Sequence, residues 1–308
     1  MKILVMGSGG VGGYFGGRLA GAGNDVTFVA RGAHLAAIQK DGLHLDSQLG
    51  NLTIKPAKAT ADPADAGVPD IILFATKMGD TEGAARQLAP IVRDGVTIIT
   101  FQNGVEGPDI IRRVLPGARV LPGVARIASH IPRPGVIDQR SPFARLEIGT
   151  PGGGSAPDVD AFAKTAKAAG IDVVMAESIE RNVWLKFGML SAFSGMTALT
   201  GHTAGPIRTN PKARALLEAC VRETIAVGDA EGGWLKPADF EILMKALDGN
   251  PPAMTSSMAH DRQAGKPLEV DYLSGAVVRI GARHGVPTPT HQFIVQALAL
   301  DAGGAAKS

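Results

Sequence analysis

Six residues near the start of the chain have the spacing Gly-x-Gly-x-x-Gly, which is typical of turns that hold phosphate groups: Gly7, Ser8, Gly9, Gly10, Val11 and Gly12. An apolar run, Lys2 to Met6, precedes them, and a helical pattern of small residues follows to about Ala22. Here the first glycine permits a sharp turn, the second lets a diphosphate approach the backbone, and the third permits close helix–strand packing. The N–H groups and positive dipole end of the helix then hold the phosphates. We therefore predict that these six residues bind a dinucleotide; with 40 glycines in the chain, the alternative is a turn without a ligand.

The end of the second predicted strand indicates which dinucleotide binds. Residues 24–31 form a β-run opened by a turn, and the strand ends Ala30-Arg31-Gly32. Proteins that bind NAD usually carry an acid at this place, which accepts hydrogen bonds from the ribose hydroxyls. Here there is no acid, and the planar guanidinium of Arg31 could instead meet a 2′-phosphate. The sequence therefore favours NADP (NADPH) over NAD, and the alternative is a solvated loop arginine.

Lys186 is a candidate proton donor because it interrupts an apolar face of a long helix predicted over about residues 178–199. The residues that share its face at helical spacing are Val183, Leu190, Phe193 and Thr197. A buried ammonium group is costly unless a carboxylate or a ligand compensates it, so its surroundings could tune its proton affinity. The alternative is a lysine whose stem lies on apolar surface while its charge reaches solvent.

Polar residues follow two apolar runs that we predict to be buried parallel strands. Lys77 follows the run at residues 69–76, and Asn103 lies just after the run at residues 96–101. Ligands of open α/β sheets lie beyond the carboxyl ends of the strands, so both residues are predicted on the cofactor side. The alternatives are a surface lysine at a helix start and a plain Asn-Gly turn.

Three further polar residues are candidates in the C-terminal part of the chain. Ser257 and Asp261 lie one turn apart in a helix predicted over residues 253–264, with Met254 on the same face. Glu269 is predicted to begin the next helix, whose apolar stripe runs from Val270 to Ile280. An acid at a helix start could simply complement the helix dipole, which is the alternative for Glu269.

The predicted elements give the fold class. Strands alternate with helices in the first half of the chain, which indicates a parallel sheet covered on both faces. We expect a helix at about 80–92, antiparallel additions to the sheet edge at 120–148, and only helices after residue 177. The prediction is therefore α/β: an N-terminal Rossmann-type dinucleotide-binding domain (1–177) plus an all-helical C-terminal domain (178–308). The tail at 301–308 is expected to be mobile.

Composition excludes several classes of protein. A chain of 308 residues with 45% hydrophobic and 19% charged residues is typical of a compact two-domain enzyme. A net charge of +2 without a basic run gives no indication of nucleic-acid binding, and no window predicts a membrane span. The single cysteine, Cys220, cannot form an internal disulfide, and the apolar start is too short for a signal peptide. We expect a cytoplasmic protein without a bound metal, as a monomer or a homodimer.

Together these signals resemble the ketopantoate reductase (2-dehydropantoate 2-reductase) family over nearly the whole chain. The segments that carry the resemblance are the glycine motif, Arg31, Lys77, Asn103-Gly104, Trp184-x-Lys186, Thr197-Ala198-Leu199, Ser256-Ser257-Met258, Asp261, Glu269-Val270-Asp271-Tyr272 and Gly275. The resemblance implies a Rossmann domain and a helical domain with the active site in the cleft between them. It also implies NADPH-dependent reduction of a small-molecule 2-oxo acid to a 2-hydroxy acid, with ketopantoate as the first candidate, in the biosynthesis of pantothenate and coenzyme A.

The resemblance also implies individual roles. Arg31 and Lys77 would lie near the adenosine phosphate, and Asn103 near the nicotinamide, the substrate and the lysine. Lys186 would be the catalytic acid, and Glu269 would hold the substrate and orient the lysine. The remaining substrate residues would be Ser257, at the carboxylate end, and Asp261.

One departure from the family concerns the substrate. The helix that carries the lysine usually presents asparagines one and two turns later, whereas this chain has Leu190 and Ser194, with Ser191 adjacent. We assign Leu190 and Ser194 to the substrate site, where losing two amide groups can change selectivity by orders of magnitude. Two alternatives therefore stand beside ketopantoate reduction: a reductase of a different 2-oxo acid on the same scaffold, and a non-catalytic NADPH-binding sensor.

Overall fold

The computed structural model describes residues 1–154 and 156–305, which form two compact units. The first unit comprises Met1–Gln102 and Gly107–Asn182, and the second comprises Asn103–Glu106 and the chain from Val183. The predicted α/β class, with a largely parallel sheet in the N-terminal part and a helical C-terminal part, is confirmed. The predicted division at residue 177 stays a prediction.

The first unit is built on an eight-stranded sheet with the strand order β12-β11-β8-β7-β6-β1-β2-β5. Its strands are β1 (Lys2–Met6), β2 (Asp25–Val29), β5 (Lys58–Thr60), β6 (Ile71–Phe74), β7 (Thr97–Thr100), β8 (Arg119–Arg126), β11 (Arg145–Ile148) and β12 (Asp172–Met175). Every pair is parallel except β8 with β11. All residues of β6 and β7 are buried, as expected for strands covered on both faces.

Helices and a second sheet cover this sheet. The helices are α1 (Gly10–Gly21), α2 (Gly32–Asp41), α3 (Thr81–Leu88), α4 (Gly107–Val114) and α5 (Pro157–Ala168). The second sheet has the order β4-β3-β10-β9, from β3 (Leu43–Ser47), β4 (Leu52–Ile54), β9 (Ser129–Arg133) and β10 (Val136–Gln139). Its strands pack on α1, where a Cβ added to Gly13 would lie 2.8 Å from the Ile137 side chain. The small residues of α1 therefore let it fit between two sheets.

Three expectations for this unit need correction. The segment at 120–148 is not simply an antiparallel edge, because β8 is parallel to β7, and β9 and β10 belong to the second sheet. Periodicity shows which residues are extended but not which strand they pair with. Helix α3 is shorter than predicted and follows a 3₁₀ turn at Met78–Asp80, and β5 was not predicted.

The described residues of the second unit form helices and the segments that connect them, and none of them lies in a strand. Its helices are α6 (Ile179–Thr200), α7 (Ala204–Thr209), α8 (Pro211–Gly232), α9 (Asp239–Asp248), α10 (Ser257–Gln263), α11 (Ser274–His284) and α12 (Pro289–Ala297). The long helix predicted at 178–199 is thus confirmed as α6. Trp184 and Phe187 of α6 lie edge to face at 5.4 Å in the core of this unit. No described helix is both long and apolar enough to cross a bilayer.

Three expectations for the second unit also need correction. Helix α10 begins at Ser257, not at residue 253, because the Ser256 hydroxyl caps it by accepting from the Ala259 N–H at 3.0 Å. Met254 lies outside α10 and is exposed. Glu269 precedes a 3₁₀ turn, Val270–Tyr272, and not α11 itself. In the tail, the Ala305 N–H donates to Gly265 O at 2.9 Å, and residues 306–308 lie outside the described part of the chain, so the expected mobility of the tail stays a prediction.

Candidate active site

The turn between β1 and α1 has the geometry that the glycine spacing predicts. Gly7 has a φ of +95°, a conformation that favours glycine, and forms the sharp turn. A Cβ at Gly12 would lie 2.2 Å from Gly7 O, so this position permits only glycine. Apart from the residues adjacent to it in the chain, no described residue has an atom within 4 Å of the Cβ position at Gly9, which leaves open space beside the backbone. The turn therefore fits a diphosphate held close to the main chain.

The start of α1 is electrostatically suited to an anion. Gly9 caps the helix, and its first turn contains no acidic residue. The hydroxyl and the N–H of Ser8 both donate to Val29 O, at 2.9 and 3.1 Å, so both groups of Ser8 face the protein. Val11 is half-buried in the first turn of the helix. The backbone N–H groups of this turn are thus its binding groups for phosphate.

Arg31 and Lys77 are both exposed at the ends of their strands, where a ligand can reach them. Arg31 caps α2 in an extended conformation, and its guanidinium lies 3.6 Å from the Asp80 carboxylate. Lys77 immediately precedes the 3₁₀ turn that contains Asp80. Sequence reasoning missed Asp80, because the acid that approaches Arg31 comes from a turn after β6 and not from the end of β2. Both partners are more than half exposed, so the pair contributes little stability and leaves Arg31 available for a phosphate.

Asn103 and Lys186, which are 83 residues apart, are brought together in the second unit. The Lys186 ammonium donates to Asn103 Oδ1 at 3.0 Å, and the lysine is half-buried on α6. The residue after Asn103 must be glycine, because Gly104 has a φ of +98° and a Cβ there would lie 3.1 Å from Tyr272 O. The hydrogen bond gives Lys186 a fixed orientation.

The short segment Asn103–Glu106 is also tied to helix α11. Both carboxylate oxygens of Glu106 accept from the Arg279 guanidinium, at 2.6 and 3.3 Å. The same guanidinium donates to Asp271 O at 2.8 Å. Asn103 is therefore presented to Lys186 by a segment that the bidentate ion pair between Glu106 and Arg279 holds in place.

Gln102, immediately before this segment, has a different role from its neighbour. Its side-chain N–H groups donate to Thr76 O at 3.1 Å and to Thr81 Oγ1 at 2.8 Å, and its oxygen accepts from Thr100 Oγ1 at 2.9 Å. Gln102 thus fastens the ends of β6 and β7 together. Of the polar pair after β7, Gln102 stabilises the sheet edge and Asn103 contacts the lysine.

Glu269 is only 8% exposed. Its backbone carbonyl accepts from the N–H groups of Tyr272 and Leu273, each at 3.0 Å, which fixes the main chain at the start of the 3₁₀ turn. Burying a carboxylate costs free energy unless hydrogen-bond donors or a positive charge compensate it. The burial of Glu269 therefore indicates a functional role more strongly than its position before a helix does.

The predicted substrate residues differ widely in exposure. Ser194 is buried at 2% exposure, whereas Leu190 is half-buried on the same helix. Ser257 is exposed at the first position of α10, and Asp261 is half-buried one turn later. Ser257 therefore presents a hydroxyl that a ligand can reach, and Ser194 does not face solvent.

Thr197 and Ser256 belong to the segments that carry the family resemblance. They have a structural role that sequence reasoning did not assign. The buried Thr197 hydroxyl donates to Ser256 Oγ at 2.7 Å, and this oxygen is the one that caps α10. The contact connects α6 to the start of α10 and so fixes where Ser257 is presented. Within the described ranges, no group of three or more His, Cys, Asp or Glu side chains could hold a metal ion.

Comparison with known proteins settles the family. The family model for "Ketopantoate reductase PanE/ApbA" matches residues 3–153, and the model for the C-terminal part of that family matches residues 178–301. The chain belongs to the ketopantoate reductase family. Members of this family are oxidoreductases that use NADPH.

Individual relatives agree with this family over the full length of the chain. The chain is 32% identical to a 2-dehydropantoate 2-reductase of Mesorhizobium japonicum, over 98% of this chain and 99% of that protein. It is 29% identical to the one of Pyrococcus horikoshii, over 97% and 96%. A crystal structure of a family member from Ralstonia eutropha covers 98% of both chains at 30% identity, with a TM-score of 0.88. A D-mandelate dehydrogenase in complex with NADH and anilino(oxo)acetate also covers 98% of both chains with a TM-score of 0.88, but at 20% identity this likeness concerns the fold alone.

Proposed function

We propose that this chain catalyses the NADPH-dependent reduction of ketopantoate to pantoate, a 2-oxo acid to a 2-hydroxy acid. The observation that carries the proposal is the hydrogen bond from the Lys186 ammonium to Asn103, which lies three positions after the end of the buried strand β7. An oriented ammonium group on the catalytic domain is what a carbonyl reductase needs in order to protonate the oxygen as charge develops there.

The cofactor-binding residues divide into two groups. The Gly7–Gly12 turn holds the diphosphate through the backbone N–H groups at the start of α1, from Gly9 to Gly12, and the side chains of Arg31 and Lys77 meet the 2′-phosphate. When bound, NADPH supplies the hydride for the ketone carbon. Everything else that the reaction requires comes from side chains of this chain.

Lys186 is the proton donor in this proposal. Asn103 accepts a hydrogen bond from the Lys186 ammonium group and so orients it, and the ammonium group donates a proton to the carbonyl oxygen of the substrate. Glu269 supplies a buried negative charge that keeps the lysine protonated and holds the substrate. Ser257 binds the carboxylate end of the substrate through its exposed hydroxyl, with Asp261 one turn behind it.

A second candidate function is the reduction of another branched or hydroxylated 2-oxo acid. The half-buried Leu190 and the buried Ser194 favour it, since neither supplies the amide group that family members usually present at these positions. A pocket that lacks those donors would discriminate less in favour of a hydroxylated substrate. A non-catalytic NADPH sensor is disfavoured, because a sensor has no need of an oriented ammonium group.

A panel of 2-oxo acids that includes ketopantoate tests these functions. Each acid is mixed with the enzyme and NADPH, and the loss of NADPH absorbance is followed. The highest kcat/KM with ketopantoate supports the proposal, and a higher value with another acid supports the second function. NADPH binding without oxidation on any acid would support the sensor.

The Lys186→Ala variant tests the role of the lysine separately. We expect turnover to fall by at least about a hundredfold, since general acid catalysis contributes roughly 10²–10⁴ in rate. NADPH affinity should remain close to that of the wild-type chain. Unchanged turnover would reject Lys186 as the acid.

We further propose that the enzyme works in the cytoplasm and that it can form a homodimer. Its single cysteine, Cys220, is buried and free and cannot form an internal disulfide, so the fold does not depend on an oxidising compartment. Sedimentation equilibrium of the purified chain distinguishes a dimer from a monomer.

A further inference from the structure

His34 forms a hydrogen-bonded bridge between two separate segments of the first unit. Its Nδ1 accepts from the Gly135 N–H at 3.0 Å, and its Nε2 lies 2.9 Å from Ser8 O. A backbone N–H is always a donor, so Nδ1 must be unprotonated, and the single ring proton is on Nε2, donated to Ser8 O. The two contacts therefore define one neutral tautomer.

The segments that His34 joins are the glycine turn and the connection between β9 and β10. Ser8 is the second residue of the Gly7–Gly12 turn, and Gly135 lies between the two strands of the smaller sheet. Gly135 O in turn accepts from the His44 N–H at 2.9 Å, which ties this connection to β3. His34 thus connects the second sheet to the phosphate-binding turn through hydrogen bonds.

We propose that His34 is a positioning residue for the dinucleotide, because its bond to Ser8 O sets the direction of the Gly9 N–H. The peptide bond between Ser8 and Gly9 is trans, so the carbonyl of one residue and the N–H of the next point in opposite directions in one plane. Holding the carbonyl toward His34 turns the Gly9 N–H away from it. This inference rests on the proposed NADPH-dependent function.

The surroundings of the turn support this role. Among the residues that the structure describes, none beyond the chain neighbours of Gly9 has an atom within 4 Å of its Cβ position, so a ligand can approach the backbone there. Ser8 itself is fixed by its N–H and its hydroxyl, which both donate to Val29 O. Val29 therefore holds the N–H and side chain of Ser8, and His34 holds its carbonyl.

The β9 strand also limits the space around the turn. A Cβ at Gly10 would lie 2.6 Å from Ser129 O, so β9 packs directly on the first residue of α1. His34 is half-buried, and burial lowers the pKa of its ring, which keeps Nδ1 available as an acceptor. The bridge and the packing of β9 together hold the turn before any ligand binds, which reduces the ordering cost of binding.

Two substitutions separate the two hydrogen bonds of the ring. The amide nitrogen of glutamine reaches about as far as Nε2, so His34→Gln keeps a donor for Ser8 O. The oxygen of asparagine lies near the position of Nδ1, so His34→Asn keeps the acceptor for Gly135 but loses the bond to Ser8. His44→Gln is the matched control, because its ring contacts Thr53 Oγ1 at 3.1 Å and not the glycine turn.

NADPH affinity is measured for each full-length variant by isothermal titration calorimetry, with thermal unfolding recorded in parallel. We expect His34→Asn to raise Kd about five- to tenfold, the effect of one lost hydrogen bond, and His34→Gln and His44→Gln to change it less than about twofold. At saturating NADPH, kcat of His34→Asn should stay within about twofold of wild type while its KM for NADPH rises.

Equal affinity of His34→Asn and wild type would overturn the inference. An equal loss in His34→Asn and His34→Gln would overturn it as well, since that pattern indicates a structural role of the ring without a specific role for the Ser8 bond. Failure of the wild-type chain to bind NADPH would refute the proposed function instead, so the two failures are distinguishable.

Discussion

Removing the Asn103 side chain tests whether the contact with Lys186 serves catalysis. Asn103→Ala deletes the oxygen that lies 3.0 Å from the lysine nitrogen. A hydrogen bond to a charged group contributes about 1.5–3 kcal/mol, and each 1.4 kcal/mol corresponds to about a factor of ten. Because Lys186 is half-buried, water replaces part of the lost contact. We therefore expect the lower end of this range, a fall in kcat/KM of about ten- to thirtyfold.

Asn103→Asp changes the charge beside Lys186 while keeping an oxygen at this position. A carboxylate stabilises the protonated lysine and raises its pKa, by about one unit or more for a close pair that is not fully exposed. The protonated lysine is the active form, so activity is lost as the pH rises through this pKa. The basic limb of the pH–rate profile should therefore move to higher pH in the Asp variant.

The assay is the dependence of kcat/KM on pH with ketopantoate, or the best acid of the panel, at saturating NADPH. The control is Asn51→Ala, the same chemical change in a surface turn, where Asn51 Oδ1 accepts from the Ser47 N–H at 2.9 Å. It should leave the profile unchanged. Wild-type turnover in Asn103→Ala, or a basic limb that stays in place or moves to lower pH in Asn103→Asp, would refute the reasoning.

Two further predictions concern the cofactor and the helical core. Arg31→Ala should weaken NADPH binding by about tenfold and NADH binding much less, because the guanidinium meets only the 2′-phosphate. Isothermal titration calorimetry with both cofactors tests this prediction. An equal loss of affinity for both would count against a preference for NADP. Burial lowers the pKa of His291 below its usual value of 6.5, so the unfolded chain binds a proton more readily than the folded one. The contribution of His291 to the free energy of unfolding should therefore be constant above about pH 7. This contribution should fall as the pH drops through 6.5, by up to about 1.4 kcal/mol per pH unit. Urea unfolding of His291→Gln between pH 5 and 8 should show a smaller slope, and an unchanged slope would exclude His291 as its source.

Some parts of the sheet were predictable, and others were not, for an identifiable reason. The strands β6 and β7 are continuous apolar runs, and all their residues are buried. The strands β9 and β10 look equally extended in the sequence, but β10 pairs with β3, about ninety residues earlier, through contacts such as Ile137 with Leu45. Propensity and periodicity describe one strand at a time, whereas pairing depends on which partner buries the most surface.

In the candidate site, too, some features were predictable from the sequence and others were not. The glycine turn was predictable because its backbone angles and close approaches involve neighbouring residues, such as Gly12 against Gly7 O. Asp80 beside Arg31 was not, because the two residues lie on connections after different strands. The His34 bridge was also missed, since its partners are 26 and 101 residues away.

The sequence by itself determined the phosphate-binding turn, the succession of strands and helices, and the presence of Lys186 on a largely apolar helix face. Each of these depends on sterics and periodicity within a few residues. Only the tertiary structure decided that Lys186 donates to Asn103, that Glu269 is buried and that His34 holds Ser8 O. Such contacts form where the packing of distant segments outweighs the entropy of closing long loops, and that balance is a property of the whole chain.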